Sequence, residues 1–290
     1  MSSRSLAIAL VLSLPLFGQS NVKVTLEDVT DNRMKADMFT GSLELRVKVD
    51  GTNMEKASAS RILIKEARDD KGNDLAKNYK PADFFPREYN QGMLMFGLTS
   101  PARTASVVKL KGSVELYVPS RDPGALVKID KALSKLDAPL SAKALKAAKI
   151  DITPLSRDAY VKLLETRKID DEKVAKIREE GKKHGVDQKE VDALIELARA
   201  LQDNASETPA NAIILSGPHD SFERVFRIDV LGADGKPIDT PQRSTSTSGD
   251  DSIMTIIPAA DPPPNATLQL YLLTPKSRMS SPFELTVELP

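Results

Sequence analysis

Apolar and polar residues alternate singly over much of this chain. Phe283, Leu285, Val287 and Leu289 alternate with Glu284, Thr286 and Glu288, and Ile150 and Ile152 alternate with Asp151 and Thr153. Successive side chains of an extended strand point to opposite faces, so a period of two predicts strands with one apolar and one polar face. Antiparallel sheets that bury one side carry such strands. Several of them at short spacing, parted by Gly, Pro and Asp turns, predict β-sandwiches.

The strands recur in order. Segments 62–75 and 225–238 share an alternating strand, a polar turn ending in glycine, and the start of another strand. Segments 113–119 and 267–273 each set three aliphatics against a tyrosine: Val114, Leu116 and Val118 with Tyr117, and Leu268, Leu270 and Leu272 with Tyr271. Each leads through a polar turn to a final strand, 125–130 in one half and 283–289 in the other. Upstream, 93–103 lies over 252–262, 23–29 over 149–155, and 42–49 over 211–217. A shared order of this kind marks a duplication. The expected fold is mainly β: two tandem immunoglobulin-like antiparallel β-sandwich domains. The paired cysteines and core tryptophan of antibody domains are absent, so the expectation concerns architecture and no named family.

Between the first two strands of the second repeat the period changes to 3.6. Ser156, Asp170 and Asp187 each stand before a helical pattern as N-caps, with Leu155, Ile169 and Val186 placed to staple onto Tyr160, Val174 and Val191. Glu190 completes a capping-box pattern with Asp187, and His184-Gly185 is a helix stop. Val191, Leu194, Ile195, Ala198 and Leu201 form an apolar stripe. The second domain therefore carries an inserted helical lobe of about three helices. The first repeat closes the same gap with a short connection, so the lobe is where a partner surface is expected.

The amino terminus reads as an export signal. Arg4 gives a positive start, residues 6–17 are an apolar run too short for an ordinary membrane span, and Gly18 and Ser20 suit cleavage before Asn21, with cleavage after Gly18 the alternative. The expected organisation is a signal peptide at 1–20, a first sandwich at 21–135, a linker at 136–148, and a second sandwich at 149–290 with its insertion at about 156–206. The mature chain is expected in the periplasm or outside the cell, without a membrane span. The sequons at Asn204 and Asn265 then go unused in a bacterial setting.

Composition narrows the chemistry. There is no cysteine, which removes disulfides, thiolate catalysis and cysteine-held zinc, and only His184 and His219 remain as imidazoles. Net charge is zero, against a nucleic-acid partner. Charge is uneven along the chain: residues 21–155 hold 23 basic against 18 acidic side chains, and residues 207–290 hold 6 against 11. Asp69, Asp70, Asn73 and Asp74 crowd one turn and raise the question of calcium, but turn chemistry alone explains them. Asp250 and Asp251 read the same way, and Asp170, Asp171 and Glu172 suit a helix amino terminus. No G-x-S-x-G, H-E-x-x-H or glycine-rich phosphate loop appears. Pro262, Pro263 and Pro264 form a short rigid connector.

Phe84, Phe85 and Tyr89 concentrate aromatics in one loop, either as a cap on the sandwich or as an exposed contact patch. No catalytic, cofactor-binding or metal-ligating residue is assigned, and no cofactor is expected. The reading is of a secreted noncatalytic binding or structural protein, with a protein as partner and contacts through the helical lobe and loop ends. The alternatives are a secreted hydrolase with a carboxylate site at the domain junction, or an accessory subunit or adhesin of a cell-surface assembly. An unpaired edge strand would favour the last.

Overall fold

The computed structural model describes residues 22–36, 39–168, 170–205 and 208–290. It is mainly β with antiparallel sheets and no barrel. The strands are β1 (Lys23–Ala36), β2 (Phe39–Asp50), β3 (Ala59–Asp69), β4 (Phe85–Pro86), β5 (Met93–Thr99), β6 (Val107–Tyr117) and β7 (Leu126–Ile129). They continue as β8 (Thr153–Leu155), β9 (Ile213–Pro218), β10 (Val225–Leu231), β11 (Gln242–Ser248), β12 (Asp251–Ile257), β13 (Thr267–Leu272) and β14 (Arg278–Glu288). No helix among the described residues is long and apolar enough to cross a membrane.

The chain divides into two compact units, one of residues up to Pro123 together with Leu273–Pro290, the other Gly124–Leu272. In the first, one sheet has the order β1-β2-β5 and the other β14-β6-β3-β4. Alternation does the sorting: Leu43, Leu45, Val47 and Val49 of β2 are buried, while Glu44, Arg46 and Lys48 between them are not. They join Leu94, Phe96 and Leu98 of β5, Ile62 of β3, Val108, Leu110, Val114 and Leu116 of β6, and Val287 of β14 in one core. Each such aliphatic contributes about 1.5–3 kcal/mol relative to exposure.

The second unit has sheets β11-β12-β9-β8 and β10-β13-β7. Its core takes Ile213 and Leu215 of β9, Ile256 of β12, Ile228 and Val230 of β10, and Leu268, Leu270 and Leu272 of β13. Ile150 and Ile152 are buried there too, although regular pairing begins only at Thr153.

Two assignments differ from the sequence expectation. The strand after β6 was expected to complete the first unit and the last strand the second. Instead β14 pairs with β6 over Val107–Tyr117, and β7 pairs with β13. The last strand of the chain thus belongs to the first unit, and mid-chain β7 to the second. The connections run side by side in the first unit, where Val118 N–H donates to Ser277 O (2.7 Å) and Thr274 Oγ1 donates to Asp122 Oδ2 (2.6 Å). The segment 136–148, expected as a linker, carries the helix Lys143–Ala148, whose Leu145 is buried in the second core.

Three helices, Arg157–Arg167, Asp171–Lys183 and Gln188–Ala205, lie between β8 and β9. Ser156 Oγ accepts from Ala159 N–H (3.2 Å) and Asp170 Oδ1 from Lys173 N–H (2.8 Å), as N-caps do. The first helix lays Tyr160 on Ile214 and Ile253. The other two bury Val174 against Val191 and Ile195. Leu194, expected in the buried stripe, is 62% exposed. The facing helix is a single one, and its width covers only the Val191–Ile195 line. The export signal, Ile169 and the side chains of Ala198 and Leu201 lie outside the described residues.

Candidate binding cavity

The first unit contains a cavity of about 530 Å³ between β5 and the edge formed by β3 and β4. Its wall is set by the loop from residue 70 to 92. Phe85 and Pro86 pair with Ser60 and Ala59, which pins the loop to the end of β3. Tyr79 Oη donates to Ile62 O (2.7 Å), and burial pushes the Tyr79 hydroxyl pKa up from its usual 10.0. The loop re-enters the sheet at Gly92, with φ +90°. A Cβ there would stand 2.6 Å from Val49 O, so glycine is required on both counts.

The three aromatics of this loop divide their work. Phe84 is buried, with Arg61 stacked 4.6 Å above its ring centroid and Tyr117 edge-on at 6.4 Å. Arg61 in turn bonds Glu115 Oε2 through Nε and Nη2, both at 2.7 Å. Phe84 is therefore the anchor. Phe85 and Tyr89 are the exposed rim at 48% and 74%, joined by Met95 at 62%. The loop thus turns Phe84 inward and leaves Phe85 and Tyr89 exposed.

Two residues of the cavity lining each hold a buried polar atom without a hydrogen bond. Ser60 lines the cavity, is wholly buried, and its Oγ has no hydrogen bond. Asn90 spends its Oδ1 on Gly92 N–H (2.9 Å), leaving Nδ2 buried and unbonded. A buried hydroxyl or amide without a partner costs about 1–3 kcal/mol.

The cavity follows a bare strand edge. Thr99 N–H points away from β2, donating to Leu75 O (3.0 Å), and Gly92 C=O points toward β2, accepting from Val49 N–H (2.8 Å). Alternation along β5 sends the N–H and C=O of Met93, Met95 and Gly97 away from β2. Among the described residues β5 is the last strand of its sheet, and no described strand pairs with these groups.

Elsewhere the sequence candidates resolve into structure. Asp69 Oδ1 accepts from Lys71 and Asn73 N–H, and Oδ2 from Asn73 Nδ2 and Ala102 N–H, at 2.8–3.0 Å. Burial pushes its pKa up, but these bonds together outweigh it and hold the carboxyl below its usual 3.8. Asp70 accepts from Ser106 N–H and Oγ. The cluster is a turn lock, and among the described residues no group of three or more His, Asp or Glu could hold a metal ion.

One contact had no signal in spacing or motif. His219 Nδ1 lies 3.1 Å from Ser252 Oγ, and His219 Nε2 lies 3.3 Å from Glu223 Oε1. The types suit nucleophilic catalysis, yet Ser252 is wholly buried and also bonds Thr247 Oγ1 at 2.9 Å. No carbonyl reaches that oxygen, and the group ties the helix His219–Glu223 to β12. A second cavity, of about 460 Å³ beside Leu155 and Ile214, brings together only Arg157 and Asp261 as charged groups. Comparison of the chain with protein-family models, curated proteins and solved structures returned no match.

Proposed function

We propose that this chain is an exported, noncatalytic binding protein that holds a protein partner at the cavity of its first unit. The observation that carries the reading is the cavity lined by Ile62, Leu94, Met95 and Phe96 beside an edge of β5 that no described strand pairs. Phe85, Tyr89 and Met95 at its mouth are the side chains that stabilise contacts when covered. The strand orders within each unit support reading both as immunoglobulin-like sandwiches in tandem, with the three helices as an insertion in the second. The unpaired edge of β5 favours the accessory-subunit form of the reading. The helix Gln188–Ala205 offers a second surface through Leu194 and Leu197.

The test places a benzophenone amino acid at positions 85, 89, 194 or 197, with Lys128 as control, in the full chain in its own cell. Photo-crosslinked adducts at 85 and 89, but not at 128, support the reading. Adducts at 194 and 197 alone move the contact to the lobe. Adducts at none of the four refute binding through either surface.

A further inference from the structure

We propose that the cavity of the first unit receives an extended peptide segment from the partner, which pairs antiparallel with β5 and carries a carboxylate to Arg46. This rests on the binding reading and specifies the chemistry of its partner.

The first argument comes from the other edges. Each sheet has two edge strands. β1, β14, β10, β7 and β11 carry charged residues, and β4 and β8 carry Pro86 and Pro154. Charge and proline on an edge block pairing with another chain. β5, Met-Leu-Met-Phe-Gly-Leu-Thr, has neither.

The second argument is internal to the chain. In the second unit β12 stands where β5 stands in the first, and β9 where β2 stands, by strand order and by the match of 93–103 to 252–262. There β12 is covered by β11, paired over all seven residues from Gln242 to Ser248. Among the described residues the first unit has no such strand. Its 70–92 loop leaves β5 bare from Met93 to Gly97 and opens the cavity at that place. The stretch left to cover is the five residues from Met93 to Gly97, because Thr99 N–H already bonds Leu75 O.

Its chemistry follows from the wall. Leu94 and Phe96 are buried and Met95 is exposed, so the incoming residue opposite Met95 lies on the outer face, and its two neighbours point into the cavity. Those neighbours meet the apolar side chains of Ile62, Leu94 and Phe96, which suits valine and the methyl group of threonine. On the outer face Arg46 lies directly across from Met95. Arg61 is engaged by Glu115, which leaves Arg46 as the unpaired cation of the wall, with Asp83 the other charged group. Two strand spacings, about 9.5 Å, separate Arg46 from the incoming residue, within reach of an arginine and a glutamate together.

The probe is the synthetic nonapeptide acetyl-SVTVETTVS-amide with the full-length purified protein, read by fluorescence polarisation and by amide exchange. Binding should slow exchange at Met93, Met95 and Gly97 by about tenfold or more. N-methylation of the central glutamate removes the N–H aimed at Met95 and should weaken binding by about tenfold. Lysine in its place should weaken binding likewise, and Arg46→Glu should restore the lysine peptide. Gly97→Pro removes an N–H that β2 does not use, so the melting temperature should hold while the peptide is lost. No binding up to about 1 mM, or binding with exchange unchanged at the three amides, overturns the proposal. So does a dimer that protects the same amides without peptide, since a second copy would then be the occupant. If the peptide fails while crosslinks at 85 and 89 persist, the proposal falls and the binding reading stands. If both fail, both fall.

Discussion

Val287→Ala tests the exchange of final strands. Val287 is wholly buried in the first core and faces Val108 across β14 and β6. Removing two methyl groups forfeits about 1.6 kcal/mol of transfer free energy. The void, on the order of 40 Å³, adds about 1 kcal/mol because neighbours relax only in part. The first unit should therefore lose about 2.5 kcal/mol. Hydrogen exchange with mass spectrometry locates the loss. Peptides covering 43–49 and 108–116 should exchange roughly 50-fold faster in the variant, as follows when opening of one unit becomes easier by that amount. Peptides covering 213–217 and 268–272 should be unchanged. Faster exchange at 268–272 with 108–116 unaffected would refute the pairing and restore the tandem order expected from sequence.

Three further outcomes follow from the same geometry. Asp69→Asn should lower stability at neutral pH by about 2 kcal/mol, because the carboxylate accepts four hydrogen bonds. The folded-state pKa of Asp69 lies below its usual 3.8, so its stabilising share is full above that pH and is lost as pH falls through the lowered value. Urea midpoints of the two proteins should accordingly converge in strong acid. Phe84→Ala should cost about 3–5 kcal/mol by emptying the place under Arg61, while Phe85→Ala should change stability by less than about 0.5 kcal/mol and weaken partner binding. Gly181→Val should loosen exchange across 171–205 and leave the sheets alone, because a Cβ at Gly181 stands 2.7 Å from Val191 Cγ2.

Much of the fold was legible because it depends on local rules. β2 alternates without a fault from Leu43 to Val49, and the structure buries all four aliphatics. Ser156 and Asp170 cap the helices they were read to cap. Pairing partners were not legible, for a physical reason: alternation fixes which face of a strand is buried and carries nothing about which strand lies beside it. Phe283, Leu285 and Val287 fit either unit equally well on pattern. Leu194 and Ile195 sit side by side in one stripe, and only the width of the facing helix decides which is covered. The cavity was half visible. The aromatics of its loop stood out in the sequence, but Ser60 reads as an ordinary strand serine, and its missing partner exists only in three dimensions.

The two units differ at one edge of their sheets. The second unit covers its edge with β11, a strand exposed at every residue and rich in serine and threonine, so it adds backbone pairing and little apolar burial. The first unit spends the same stretch on a loop whose Phe84 serves the interior and whose Phe85 and Tyr89 do not. This loop holds Phe85 and Tyr89 at the mouth of a cavity beside three backbone amides that no described strand pairs. Bare edges invite aggregation, and the other edge strands carry charge or proline. The uncharged stretch from Met93 to Gly97 carries no such protection, so the proposed partner is placed on β5 rather than on the helical lobe where the sequence first directed attention.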